Sequence, residues 1–129
     1  MDVREFLTSA QQQIQENSEV GYRNAASRAY YCAFHLCRML LEKLPQSQDN
    51  IGTSHQKIID ALFLSSDKRL KSLGNQLKMA RQLRHKADYK VDTKFTRYEA
   101  SRVLSYVQKI VLEVDNVLQS LQQEESDKK

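Results

Sequence analysis

Titratable and hydrogen-bonding side chains crowd into one short stretch of the sequence: Arg84, His85, Lys86, Asp88 and Tyr89. A guanidinium presents planar N–H donors that match phosphate oxygens. An imidazole titrates near neutral pH and can give or take a proton there. Taken singly, a histidine is more often just solvated, an aspartate caps or forms a salt bridge, and a tyrosine packs. As a group they could bind a phosphate and move a proton at it, so we take Arg84, His85 and Tyr89 as candidate catalytic residues.

Arg84 falls among the apolar positions of a predicted helix. At about 100° per residue, four apolar side chains of that helix lie within about 80° of arc, and Arg84 lies inside the same arc. The four are Leu73, Leu77, Ala80 and Ala87. Burying an unpaired arginine charge is costly, so the position needs a reason. One reason is a snorkelling stem or an ion pair to a neighbouring helix. The other is a guanidinium at the floor of a cleft that presents its donors to a phosphate.

Positive charge is concentrated around the same segment. Residues 68–97 contain ten basic and two acidic side chains, a net charge of +8, whereas the whole chain carries +4. A polyanion such as RNA, or a nucleotide, could dock on such a segment, although a solvated helix face would show the same composition. The candidate RNA- or nucleotide-binding residues are Lys78, Arg81, Arg84, Lys86 and Asp88.

The elements that must position these residues are helices. Three glycines and one proline in 129 residues are few chain breakers, and apolar residues recur at three- and four-residue steps. This pattern predicts an all-α fold, an antiparallel up-and-down bundle of four to five helices, with helices over about 2–16, 19–44, 53–64, 65–87 and 96–121. We expect one domain over 1–121 and a frayed polar tail over 122–129.

Helix ends carry local signals. Thr53 with Gln56 and Thr96 with Glu99 have the spacing of capping boxes. Pro45 makes continuation of the second helix difficult, the polar residues 46–52 look like the longest connection, and Ser65 or Ser66 can start the fourth helix. A loop is expected over 88–95.

The second helix is apolar on more than one side. Tyr31, Phe34 and Met39 lie off its main apolar stripe, which indicates a helix that is central to the bundle or shared with a partner chain. If the helix is shared with a second copy of the chain, we predict Tyr31, Phe34 and His35 at the homodimer interface.

Several functions are disfavoured. Cys32 and Cys37 lie five apart in one apolar segment and are expected to be core residues. There is no zinc-hydrolase motif, glycine-rich phosphate loop or serine-hydrolase elbow, so we expect no metal and no cofactor. No stretch of eighteen apolar residues and no secretory signal occurs, which favours a cytoplasmic location and no membrane partner.

Two sequence elements resemble a known family. YRNAASRAYYCAFHLCRMLL, Tyr22 to Leu41, resembles the second helix of small prokaryotic HEPN proteins. LRHKADYKVD, Leu83 to Asp92, looks like the Arg-x-x-Ala-Asp-Tyr element of that family's short stand-alone members. His55 stands where these members often have a histidine at the start of the third helix. Together the matches cover most of the chain from Tyr22 to about Val114.

The resemblance implies a helical bundle that dimerises and brings the motif helices of two subunits around a cleft. Many HEPN proteins are metal-independent ribonucleases of toxin–antitoxin or antiviral systems, with a motif of an arginine, four to six residues and a histidine. This chain departs from that motif, because the position that follows Arg84 after four intervening residues is Tyr89, and only three residues separate Arg81 from His85.

Three functions follow from the resemblance and the residues together. The first is an RNA-directed ribonuclease, either a toxin or a defence effector. The second is a non-catalytic dimer that binds nucleotide or partners a minimal nucleotidyltransferase, in which case Tyr89 is the candidate for nucleotide addition. The third is a helical dimerisation protein without a small-molecule site.

Overall fold

Helices account for most of the residues that the computed structural model describes, which are 1–44 and 54–127. Within these ranges there are five helices and no strand: α1 (Glu5–Ile14), α2 (Glu19–Glu42), α3 (His55–Leu64), α4 (Lys68–Tyr89) and α5 (Arg97–Asp127). The predicted all-α fold is confirmed. None of these helices is both long and apolar enough to cross a membrane.

The helices run up and down, as side-chain contacts between their ends show. Near one end of the α4–α5 pair Lys86 contacts Glu99, and near the other Arg69 donates to Ser120, so these two helices are antiparallel. In the α3–α4 pair Arg81 donates to Gln56, whereas Lys71 donates to the carbonyl of Phe63, so these helices are antiparallel too.

α2 is the central helix of the bundle. It packs against α1, α3, α4 and α5, and twelve of its residues are buried. Cys32 and Cys37 are among them and both thiols are free, as expected of core residues. Burial raises the pKa of Cys32 to about 11 and that of Cys37 to about 12, which keeps both thiols protonated and unreactive.

Helix starts follow the predicted chemistry, with some shifts in position. The capping box at α5 is confirmed, because Thr96 Oγ1 accepts from the amide of Glu99 and Glu99 Oε1 accepts from the amide of Thr96, both at 3.1 Å. α3 is capped by Ser54, while the predicted cap Thr53, Pro45 and the expected connection over 46–52 lie outside the described residues. The start predicted at Ser65 or Ser66 is wrong, since Asp67 caps α4.

Helix ends differ more from expectation. α1 begins at Glu5, later than Asp2, whose carboxylate accepts from the amide of Arg4. α4 continues to Tyr89, so the loop predicted to start at residue 88 starts later. α5 continues to Asp127, so most of the segment predicted to fray is an exposed helix. Residues 122–127 are all polar and exposed, which is compatible with a helix that extends past the core.

Candidate functional site

Arg84 points into the protein from α4. Only 11% of its side chain is exposed, and its Nε lies 2.7 Å from Oδ2 of Asp88, one turn later on the same helix. The guanidinium also donates to the hydroxyl of Tyr31 at 3.4 Å. Nε itself is buried without an acceptor in hydrogen-bonding geometry among the described residues, so its contact with Asp88 is an ion pair only. The ion pair that sequence reasoning left open therefore exists, but within α4 and not to a neighbouring helix.

Aromatic rings surround this guanidinium. Its Cζ lies 5.4 Å from the ring centroids of both Tyr30 and Tyr31 and 5.8 Å from that of Tyr89. Such distances allow cation–π attraction, which stabilises a cation that has lost much of its water. Two of the rings come from α2 and one from the end of α4, so the packing of these two helices builds the cage.

The end of α4 that carries this cage is held by an arginine from α2. Nη1 of Arg23 donates to the carbonyls of Lys86 and Ala87 at 3.3 and 2.8 Å, and Nη2 donates to those of Lys90 and Thr93. A helix leaves its last carbonyls without partners, and a cation at that end is favourable. Arg23 supplies hydrogen-bond donors for these carbonyls and a positive charge at the helix end. The helix therefore continues past Ala87 to include Asp88 and Tyr89.

A histidine from α3 completes this part of the bundle. Nδ1 of His55 lies 2.6 Å from the hydroxyl of Tyr30, and its ring stacks on Phe34 with centroids 4.2 Å apart. Burial, reinforced by the nearby charges of Arg84 and Arg81, lowers the pKa of His55. Sequence reasoning noted the position of His55 but did not count it as a site residue, because its partners are distant in sequence.

A basic groove of about 670 Å³ lies between α3 and α4. Its α4 wall carries Lys78, Arg81, His85 and Lys86, followed by Lys90. Its α3 wall includes Gln56, Asp60 and Phe63. Arg81 Nη1 donates to Oε1 of Gln56 at 3.0 Å across the groove. The structure thus brings four of the predicted site residues to one surface.

Of the other predicted residues, Arg84, Asp88 and Tyr89 do not line the groove, and Lys86 of the lining is already paired. Lys86 Nζ forms an ion pair with Glu99 at 2.6 Å. Tyr89 is 63% exposed, and its ring centroid lies 5.0 Å from that of His85 and 5.8 Å from Cζ of Arg84. Tyr89 therefore belongs to the aromatic cage around Arg84 and also contacts His85 of the groove lining.

The residues predicted for a dimer interface lie on α2 near α1. Tyr31 and His35 are half-buried, and their rings lie 6.3 and 6.4 Å from that of Phe6. Phe34 is 6% exposed and belongs to the core, so it has little surface left to offer a second subunit. Contact of these residues with a partner chain stays a prediction.

The helical bundle and its groove define an all-α protein with a basic surface groove. A model of the HEPN domain family matches residues 4–117, most of the chain. The chain belongs to the HEPN domain family, which confirms the resemblance seen in its sequence. This is a family of nuclease or other RNA-related proteins and of nucleotide-binding proteins. No curated protein and no solved structure matches the chain.

Proposed function

We propose that this HEPN protein acts on RNA: it binds the RNA backbone along the groove between α3 and α4, and cleaves it without a metal beside Arg84 and Tyr89. The observation that carries the binding part is the row of cations on the α4 wall of the groove. More specifically, we propose that the chain is a ribonuclease of a toxin–antitoxin or phage-defence system.

The cations of the groove are largely uncompensated. In the described part of the chain, the side chains of Lys78, Arg81 and Lys90 have no carboxylate within ion-pair distance, and Arg81 contacts only the neutral amide of Gln56. Asp60 is the one acidic residue of the groove lining. Phosphates that replace the counterions of such a row bind with a strong dependence on salt.

The shape of the row favours a polymer. From Lys78 to Lys90 the α4 wall spans about 18 Å, at about 1.5 Å per residue. A single nucleotide would occupy one end of such a row, whereas successive phosphates of one strand can contact all of it. This extent supports RNA over a free nucleotide as the ligand.

The end of α4 supplies groups for phosphate chemistry. Metal-free cleavage needs a base for the 2′-hydroxyl proton, an acid for the leaving oxygen and a cation that stabilises the phosphorane. Arg84 is the cation of this set, and Tyr89, which is 63% exposed with its ring 5.8 Å from Cζ of Arg84, is the candidate acid. Because Arg84 is paired with Asp88, a bound phosphate has to share or displace that carboxylate.

Binding is tested with a labelled single-stranded RNA at several salt concentrations. We expect the double variant Lys78→Ala/Arg81→Ala to bind more weakly and to lose about 1.4 from the slope of log K against log salt, about 0.7 per phosphate contact. The matched control is Arg28→Ala/Lys109→Ala, which removes the same charge from exposed positions of α2 and α5. Equal affinity and slope for both double variants would contradict the proposed groove.

Cleavage is tested separately with tRNA and mRNA in the presence of a chelator. The wild-type protein should cleave them, and Arg84→Ala should cleave at least about 100-fold more slowly, as for loss of a transition-state charge contact. Toxicity on expression gives the cellular counterpart. Intact RNA, together with unchanged RNA binding and toxicity in Arg84→Ala, excludes the role of Arg84.

One observation favours a second function. Arg84 is already paired and mostly buried, whereas Tyr89 beside it is exposed. This arrangement suits a non-catalytic homodimer that binds nucleotide or receives one on Tyr89 from a minimal nucleotidyltransferase partner. A neighbouring gene for such an enzyme, and a mass increase on Tyr89 after co-expression, would support this function, whereas RNA cleavage by the purified protein would not.

A further inference from the structure

The ring of His55 is fixed at the start of α3. The Tyr30 hydroxyl lies 2.6 Å from its Nδ1, and Phe34 stacks on one face at 4.2 Å. Tyr30 is completely buried, so the Nδ1 edge of the imidazole faces the core. The His55 side chain is only half-buried, which places its Nε2 edge on the outer side. A histidine held at one nitrogen presents the other in a defined tautomer and direction.

His55 and Arg84 both contact the side chain of Tyr30. The Tyr30 ring that holds His55 through its hydroxyl is also one of the rings that contact Arg84, with Cζ 5.4 Å from the centroid. On the groove side, Arg81 contacts Gln56, the residue that follows His55. A phosphate that reaches from Arg81 toward Arg84 would therefore pass beside His55.

His85 has no comparable support. It is exposed, and among the described residues its imidazole has a ring contact with Tyr89 but no hydrogen bond. Nothing in that contact selects a tautomer or a direction. His85 is the histidine nearest to Arg84 in sequence, whereas His55 is the one whose orientation the fold determines.

We propose that His55 is the general base for RNA cleavage at Arg84, and that Tyr30 is its positioning residue. This inference rests on the proposed ribonuclease function. Nδ1–H of the neutral ring donates to the Tyr30 oxygen, and Nε2 takes the proton of the RNA 2′-hydroxyl. The 2′ oxygen then bonds to phosphorus, and the bond from phosphorus to O5′ breaks. O5′ leaves with the electron pair and takes a proton from the Tyr89 hydroxyl, so the products end in a 2′,3′-cyclic phosphate and a 5′-hydroxyl. Tyr89 then regains a proton from water, and Nε2 of His55 releases its own to water.

The surroundings of His55 suit a base at neutral pH. Burial and the charges of Arg84 and Arg81 lower its pKa, so the ring is neutral and its Nε2 can accept a proton. Among the described residues, the titratable or charged groups that face it are Tyr30 and His35 from α2 and Arg81 and Arg84 from α4. Burial raises the pKa of Tyr30, so its hydroxyl stays protonated and uncharged.

The test measures RNA binding and single-turnover cleavage separately, in chelator, across pH 5 to 9. We expect His55→Gln to bind RNA within about twofold of wild type and to cleave it about 100- to 10,000-fold more slowly. Added imidazole should restore part of the cleavage by His55→Ala, which a merely structural role would not allow. Tyr30→Phe should shift the acidic limb of the pH–rate profile to lower pH, because the protonated ring loses an acceptor. Arg28→Gln, at an exposed position of α2 outside the groove, is the control variant and should cleave normally.

A measurement on wild-type protein covers the case in which these variants fail to fold. Bound RNA should protect His55 from acylation by diethylpyrocarbonate, as mapped by mass spectrometry. The inference is overturned if RNA leaves His55 unprotected, or if His55→Gln cleaves at the wild-type rate, and in the latter case the proposed function stands. If the wild type binds RNA without cleaving it, the base and the ribonuclease activity are both excluded, and only the binding groove remains.

Discussion

Removing the Arg23 guanidinium should loosen the end of α4 on which the candidate site depends. In the folded protein this group donates to four backbone carbonyls, its Cζ lies 5.7 Å from the Phe95 ring, and its side chain is 12% exposed. Arg23→Ala removes all of these contacts at once. Arg23→Lys keeps the charge but can reach only some of the carbonyls.

The expected loss of stability follows from which carbonyls are left without a partner. Hydrogen bonds from a charged donor contribute about 1.5 to 3 kcal/mol each, but water can replace those at the exposed carbonyls of Lys90 and Thr93. Water cannot easily replace the bond to the carbonyl of Ala87, which is 2.8 Å long and partly buried. The loss of stability therefore comes from this bond and from the interaction of the charge with the helix terminus. Together they give about 3 kcal/mol for Arg23→Ala and about half of that for Arg23→Lys.

Urea unfolding monitored by circular dichroism measures this loss, and thermal unfolding should show a decrease of roughly 10 °C for Arg23→Ala. Amide hydrogen exchange should accelerate most over residues 86–90, because those amides lie in the released turn. The matched control is Arg28→Ala, an exposed position on the same helix, which should change stability by less than about 0.5 kcal/mol. If Arg23→Ala costs less than about 1 kcal/mol, or if exchange rises evenly over all helices, the capping argument is wrong.

Further expected outcomes concern charge and close packing. The pKa of His55 lies below its usual value of 6.5, so the unfolded chain binds the proton more readily than the folded protein. The contribution of His55 to the free energy of unfolding should be complete above about pH 6.5 and should decrease as pH falls through the lowered pKa. Urea titrations should find this pH dependence reduced in His55→Gln. Gly21→Ala should destabilise the fold by about 1 to 2 kcal/mol in spite of the better helix propensity of alanine. The reason is that a Cβ at this position would lie 2.8 Å from the carbonyl oxygen of Gln13. A thermal midpoint above that of wild type would refute this prediction. Asp88→Asn should lower the free energy of unfolding by about 2 kcal/mol, because Arg84 loses its partner. The variant should nevertheless bind inorganic phosphate more tightly than wild type. Unchanged phosphate affinity by calorimetry would show that Asp88 does not compete with the ligand.

Local patterns in the sequence determined most of the fold. The helical stripes and the Thr96–Glu99 capping box depend on residues a few positions apart, and both were predictable. The end of α4 was not, because Arg23, more than sixty residues earlier, supplies donors to its carbonyls. Nothing around Arg23 in the sequence distinguishes it from an ordinary polar residue at the start of a helix.

The candidate site was predictable only in part, for the same reason. Arg84 drew attention because a charge interrupted an apolar stripe, and it does lie inward. The contact between His55 and Tyr30 joins residues 25 positions apart on two helices, so no spacing rule indicates it. The division of the basic residues was also hidden: Lys78 and Arg81 face the groove, whereas Arg84, only one turn further along, faces α2.

This division separates affinity from reactivity. In the proposed function, the groove cations would bind any phosphate backbone equally well before and during a reaction, so they would contribute to binding without lowering a barrier. Arg84 already interacts with Asp88 and with three aromatic rings, so a phosphodiester in its ground state would gain little binding free energy by contacting it. A phosphorane carries more negative charge than the phosphodiester and competes better with Asp88 for the same donors. Compensation of Arg84 in the free protein is therefore compatible with a catalytic role, since it directs the interaction toward the transition state.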